Sequence, residues 1–405
     1  MIEVSAEVLR GPVFLAGEIV EASITFCCRS SAPNGLPDEG EETLALASVQ
    51  INCVRVFLLD KKRATNTGNA NTSMGTAFLS HRGEAGEVVF ATSPKILFCD
   101  LTLRVGERKT CEETECLKLM KETIYLVETY YQRMHTYSEL LPINIPPSYR
   151  GHSIKQSYKL VVGTQRPGQP IKVIRLPLRV LTLPPGSDSV TPVVAPANPF
   201  LGGFLGKAEP VLSLETALQV LQNISARRSP SVFVITHSRG HVARFCLYKS
   251  CYKLGEDIVG TFDFRRSYQI PCIQFLVTLQ SLEIVRDQDP EKPSVTSYNN
   301  YHEDCMFRDS SHVVLPIPLH VTPSFKSDAV TLSWRLHFEF VLSTVPIPTF
   351  AAPRSDDLIT GAAWEAPSQL DIETMIWDLP ITLVPSSPLN IAQGLHLEPQ
   401  TALVL

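Results

Sequence analysis

The stretch Leu141–Leu160 (LPINIPPSYRGHSIKQSYKL) has an echo in Leu315–Leu336 (LPIPLHVTPSFKSDAVTLSWRL). Pro147-Ser148-Tyr149 matches Pro323-Ser324-Phe325, and Tyr158-Lys159-Leu160 matches Trp334-Arg335-Leu336, at one common separation. Upstream, Leu15-Ala16-Gly17-Glu18 recurs as Lys253-Leu254-Gly255-Glu256. Downstream, Leu176-Pro177-Leu178 recurs as Leu379-Pro380-Ile381. Features that repeat in one order along a chain are the mark of a duplicated domain. At roughly 150 residues per domain, 405 residues accommodate two copies with cores of their own.

The local pattern says what the copies are. Ile2, Val4, Ala6 and Val8 alternate with Glu3, Ser5 and Glu7, the period of a half-buried strand. Short alternating runs recur at Glu18–Phe26, Ala45–Leu59, Glu87–Ala91, Ile96–Leu103, Tyr158–Val162 and Val173–Thr182, between Gly-, Pro- and Asn-rich loops. In the second copy, Leu332, Trp334, Leu336, Phe338 and Phe340 share one face of a strand that needs an opposing sheet. The fold class is all-β, with two tandem β-sandwich domains.

The expected boundaries are a first sandwich over 1–182, a Pro-rich linker with a helix over 183–230, a second sandwich over 231–385, and a flexible tail over 386–405. Leu117, Met120, Ile124, Val127, Tyr131 and Met134 recur at steps of three and four, which predicts a helical insert over about 111–135. In the linker, Leu214, Leu218 and Leu221 form the apolar stripe of a short helix that packs on a neighbouring domain or gives a partner a foothold.

Charge is uneven. The chain has a net charge of −5, which argues against coating nucleic acid. Yet no carboxylate occurs between Glu139 and Asp188, where Arg150, Lys155, Lys159, Arg166, Lys172, Arg175 and Arg179 all lie. Strand parity turns Lys155, Lys159, Arg175 and Arg179 away from the core, as a solvated face or as a surface for an anionic membrane or acidic partner. The N-terminal MIEVSAEVLRG lacks the basic and apolar regions of a signal peptide, and no run approaches the ~18 apolar residues of a spanning helix. A cytosolic address with reduced cysteines is the expectation.

Catalytic patterns are missing from the sequence. Gly202–Ala208 (GGFLGKA) has neither the spacing nor the hydroxyl of a phosphate loop, and no G-x-S-x-G elbow occurs. His237 and His241 straddle a turn without an evident third metal ligand. Tyr301-His302-Glu303-Asp304-Cys305, the densest group of reactive side chains, reads as a polar surface loop. No catalytic, cofactor or metal residue is assigned, and the chain reads as a binding protein.

Several strings carry a resemblance. Arg10–Glu18 (RGPVFLAGE), His81–Glu84 (HRGE), Pro94–Leu101 (PKILFCDL), Tyr252–Asp257 (YKLGED) and Trp334–Phe340 (WRLHFEF) resemble the retrograde Golgi transport homologue family, from Met1 to about Pro385. The resemblance departs from the family's pattern around Cys111–His135. It implies an arrestin-like fold and the role of partner subunit in a two-subunit guanine-nucleotide exchange factor. The implied partners are a larger β-propeller-containing subunit and a Golgi Rab GTPase of the Rab-six class. The implied outcome is GDP release in support of retrograde, endosome-to-Golgi transport, with the protein peripheral on Golgi membranes. An arrestin-like cargo adaptor without exchange activity is the alternative.

Overall fold

Strand β1 (Ile2–Val8) buries Ile2, Val4, Ala6 and Val8 and leaves Glu3, Ser5 and Glu7 half-covered, as its alternation requires. The computed structural model describes residues 2–28, 41–58, 86–104, 131–184, 214–265, 270–286, 292–345, 369–398 and 400–404. Two compact units emerge. The first holds residues 1–181, 192–213 and 388–405, and the second 182–191 and 214–387.

In the first unit one sheet runs β21 (Gln400–Val404), β1, β3 (Ile19–Cys28), β7 (Tyr131–Leu140). The other runs β2 (Val13–Leu15), β10 (Lys172–Leu181), β9 (Ile154–Gln165), β4 (Glu41–Phe57), β5 (Glu87–Ala91). On this second sheet β6 (Lys95–Arg104) pairs with β4 and β8 (Tyr149–Arg150) with β9. The core lies between the sheets, where Val4, Ile24 and Phe26 join Ile51, Tyr158, Leu160 and Ile174.

The second unit repeats this plan. One sheet runs β11 (Ser231–His237), β12 (Gly240–Leu247), β14 (Asp257–Asp263), β17 (Ser310–Pro316). The facing sheet runs β13 (Cys251–Lys253), β20 (Ile372–Val384), β19 (Val330–Ser343), β15 (Cys272–Val285), β16 (Ser294–Asp304), with β18 (Phe325–Lys326) on β19. Leu332, Trp334, Leu336, Phe338 and Phe340 of β19 are all buried, each worth roughly 1.5–3 kcal/mol of burial. Phe245 and Phe262 reach across to Phe338, with ring centroids 5.1 and 6.0 Å away.

The repeated residues do the same structural work in each copy. The Ser148 hydroxyl accepts from the Val180 amide at 2.9 Å, and that of Ser324 accepts from the Leu383 amide at 3.1 Å. The Tyr158 phenol donates to the Pro146 carbonyl and the Trp334 indole to the Thr322 carbonyl, at 2.6 and 3.1 Å. Val13–Leu15 pairs in parallel with Arg179–Leu181, as Cys251–Lys253 does with Thr382–Val384. Gly17 and Gly255 turn the chain at φ +95° and +81°. A Cβ on Gly255 would come within 2.8 Å of Leu319 Cδ2.

Three expectations need correction. The predicted helical insert does not extend over Tyr131–His135: Tyr131–Leu140 is a strand paired with β3 along its length. The residues expected to be helical from 111 to 130 lie outside the described part. The expected flexible tail is instead α2 (Pro388–Gly394) followed by β21, which pairs antiparallel with β1 and completes the first sheet. In the second unit that position is filled by β11, the strand just before β12. The expected polar loop around Tyr301–Asp304 is part of β16, paired with β15.

Candidate interaction surfaces

Strand β9 sends Ile154, Gln156, Tyr158, Leu160 and Val162 inward, which fixes Lys155, Ser157, Lys159 and Val161 on the outer face. Strand β10 likewise buries Ile174, Leu176, Leu178 and Val180 and turns Arg175 and Arg179 outward. Lys159 pairs in register with Pro177, and Arg175 with Val161. The structure therefore brings the four basic residues onto one sheet face, but in unequal settings. Lys155 is exposed, whereas Lys159, Arg175 and Arg179 are half-buried. Burial pulls the Arg179 pKa below its ordinary value. Their neighbours on β4, Gln50 and Asn52, are 1 and 3 % exposed, so this face is not uniformly solvated.

The apolar stripe of the linker falls on α1 (Leu214–Ala226). Ala217, Leu221 and Ser225 are buried, while Leu214 and Leu218 are half-buried. The helix lies within the second unit, where Lys253 Nζ donates to Gln222 Oε1 at 2.8 Å. Leu221 thus serves the protein's own packing, and the open part of the stripe is limited to Leu214 and Leu218.

The reactive group on β16 is dispersed by the strand's alternation. Tyr301 and Glu303 share one side and His302 and Asp304 the other, while Cys305 is buried with its thiol donating to the Cys272 carbonyl at 3.3 Å. Burial works against ionisation of Glu303, but hydrogen bonds from Ser311 and Tyr301 and the charge of Arg308 leave its pKa below the ordinary value. The hydrogen bond with the neighbouring Cys305 thiol, and then burial, raise the pKa of Cys272, opposing thiolate formation. His237 Nε2 stands 3.4 Å from Glu373, which also pairs with Arg239. Glu303 and Glu373 are thus engaged in ties between strands.

A different surface leaves no local mark along the chain that sets it apart from the core. On the outer face of the β11-β12-β14-β17 sheet, Val232, Val234, Val259 and Val314 are 52, 60, 38 and 48 % exposed. At the positions of Val234, Val259 and Val314 the matching face of the first unit presents Ala402, Glu21 and Ser138, placed by the same register. The duplication thus shows which residues a solvated version of this face carries, and the second copy departs from them. The signal is present in the sequence as the valines of SVFVITH (Ser231–His237), but assigning them to the outside requires the sheet partners.

The family model described as Rgp1 matches residues 64–183 and 207–343. The chain is 38 % identical over 405 aligned residues to a human protein named RAB6A-GEF complex partner protein 2, covering 96 % of each. It is 37 % identical over 402 residues to the bovine protein of the same name, covering 94 % of this chain and 93 % of that one. Matches that run through both units and nearly the full length of both relatives place the chain in the Rgp1 family.

Proposed function

We propose that this chain is the non-catalytic partner subunit of a heterodimeric guanine-nucleotide exchange factor that acts on a Golgi Rab GTPase of the Rab-six class. The observation that carries this reading is the near full-length similarity to two relatives named as partner proteins of a RAB6A exchange complex. An exchange factor performs no covalent chemistry. It binds the nucleotide-free GTPase more tightly than the loaded one, and this affinity difference drives GDP release. Two β-sandwiches suit a subunit that supplies binding surfaces. In this reading a larger β-propeller-containing subunit completes the factor, and the complex works peripherally on Golgi membranes in retrograde, endosome-to-Golgi transport. Lys155, Lys159 and Arg175 then face the anionic membrane surface, each basic residue near it contributing about 1 kcal/mol.

The test is reconstitution. The full chain and the large subunit are co-expressed, isolated as a complex, and assayed for release of a fluorescent GDP analogue from the GTPase. Stimulated release by the pair, and weaker release by either subunit alone, supports the reading. A stable complex without stimulated release moves the assignment to a trafficking adaptor.

A further inference from the structure

The second unit opens where the first is closed. Between β11 and β20 lies a gap of about 440 Å³ lined by Val232, Phe233, Val234, Ile235, Met375 and Trp377. Phe233 and Trp377 face each other there with centroids 5.3 Å apart, and both are only half-buried. In the first unit the position matching Trp377 is Ile174, which is 4 % exposed.

Both walls of this gap are strand edges. Among the described residues β11 pairs with β12 alone, and β20 has a second neighbour only over Thr382–Val384. Strands left at an edge normally carry Lys, Pro or inward-pointing charge to discourage pairing. Strand β11 (SVFVITH) has no Lys, Arg, Asp, Glu or Pro. The charge around it has one sign in excess. Arg227 and Arg228, at the head of β11, are exposed and form no ion pair among the described residues. Arg244 is exposed beside Val234, and its cross-strand neighbour Asp263 is engaged by Arg265 at 2.9 Å.

We infer that β11 is a docking edge for an extended segment of another subunit, which adds as a further strand and fills the gap against β20. The segment alternates large apolar residues, which pack against the exposed edges of the Phe233–Trp377 pair, with polar ones. It carries acidic residues at the end that lies against Arg227 and Arg228. Main-chain hydrogen bonds supply affinity in such an arrangement, and the apolar gap and the arginines supply selectivity. This inference rests on the reading of the chain as a subunit of a complex and names the surface used.

The probe is the large subunit of the complex, purified with the full chain. Hydrogen exchange is compared between the free chain and the complex, and affinity is measured for two variants. Arg227→Glu/Arg228→Glu reverses the charge; Val232→Lys/Val234→Lys changes only exposed side chains on the edge strand. The expectation is at least tenfold slower exchange of the edge-facing amides of Val232–Thr236 in the complex. Each variant should also weaken binding at least tenfold at low salt, with unchanged melting of the free chain. Unchanged exchange in β11 and wild-type affinity of both variants, in a complex that still forms, would overturn the docking edge and leave the exchange-factor reading standing. Failure of the wild-type chain to form any complex would overturn both. Loss of anionic-vesicle binding by the arginine variant, without loss of subunit binding, would reassign the arginines to a membrane and sink the inference.

Discussion

Glu18 and Glu256 occupy the same turn in the two copies, and among the described residues only the second has lysines to meet its charge. Each carboxylate accepts a hydrogen bond from the amide three residues earlier, that of Leu15 or Lys253, at 2.9 Å. Glu256 also accepts from Lys249 Nζ at 2.6 Å. Glu18 is 3 % exposed and its Oε1 lacks a hydrogen-bond partner among the described residues. Burial therefore raises the Glu18 pKa, against the opposing Leu15 amide and the charge of Arg10.

The two sites should respond oppositely to neutralisation. A carboxyl whose pKa rises on folding contributes stability below its unfolded pKa and loses it as pH climbs through the folded one. Glu18→Gln should therefore raise stability at pH 7 by about 1 kcal/mol and flatten the loss with rising pH. Glu256→Gln should lower stability by about 1 kcal/mol, after discounting for partial solvent screening. Thermal melting between pH 4 and 8 checks both signs.

The paired serines should prove interchangeable in energetic terms. Ser148→Ala and Ser324→Ala each remove the acceptor of one strand amide, while the reciprocal backbone bonds from Ser148 and Ser324 at 2.7 and 2.9 Å remain. Each should cost about 1–2 kcal/mol, read by denaturant unfolding. A cost at one site and none at the other would break the equivalence of the copies.

Removing residues 388–405 should injure the first unit rather than the second. The deletion strips β21 from β1 and takes away the buried Pro388 and Ile391 of α2. Hydrogen exchange should accelerate over Ile2–Val8 and stay unchanged over Cys272–Val285. Equal acceleration in both would contradict the assignment of the tail to the first unit.

Charge reversal tests the basic face if it spares Arg179, where burial is deep enough to pull the guanidinium pKa down and a carboxylate would be a folding defect. Lys155→Glu with Lys159→Glu should weaken binding of the full chain to anionic vesicles at least fivefold at low salt, the effect shrinking as salt rises. Unchanged vesicle binding in a folded double variant would remove this face from the membrane reading.

Gly255 holds a left-handed turn at φ +81°, and Leu319 fills the space where a Cβ would sit. Gly255→Ala should cost about 1–3 kcal/mol, seen as a lower melting temperature of the second unit.

The duplication and most strands are legible along the chain, because both rest on local signals. Alternation over Ile2–Val8, Lys172–Leu181 and Val330–Ser343 reports burial on one face, and the repeated Ser and Tyr/Trp mark hydrogen bonds that each copy needs. Features that depend on distant partners follow only from the sheet pairings. Strand β7 offers only a mixed stretch (YQRMHTYSEL), and its extended form follows from pairing with β3 along its whole length. Strand β21 is five residues long, too short to show a period, and is fixed by β1 at the other end of the chain. The exposed valines of β11, β14 and β17 read as ordinary strand residues until sheet order puts them on one outer face. Alternation separates the two faces of a strand, but only its neighbours determine which of them meets water.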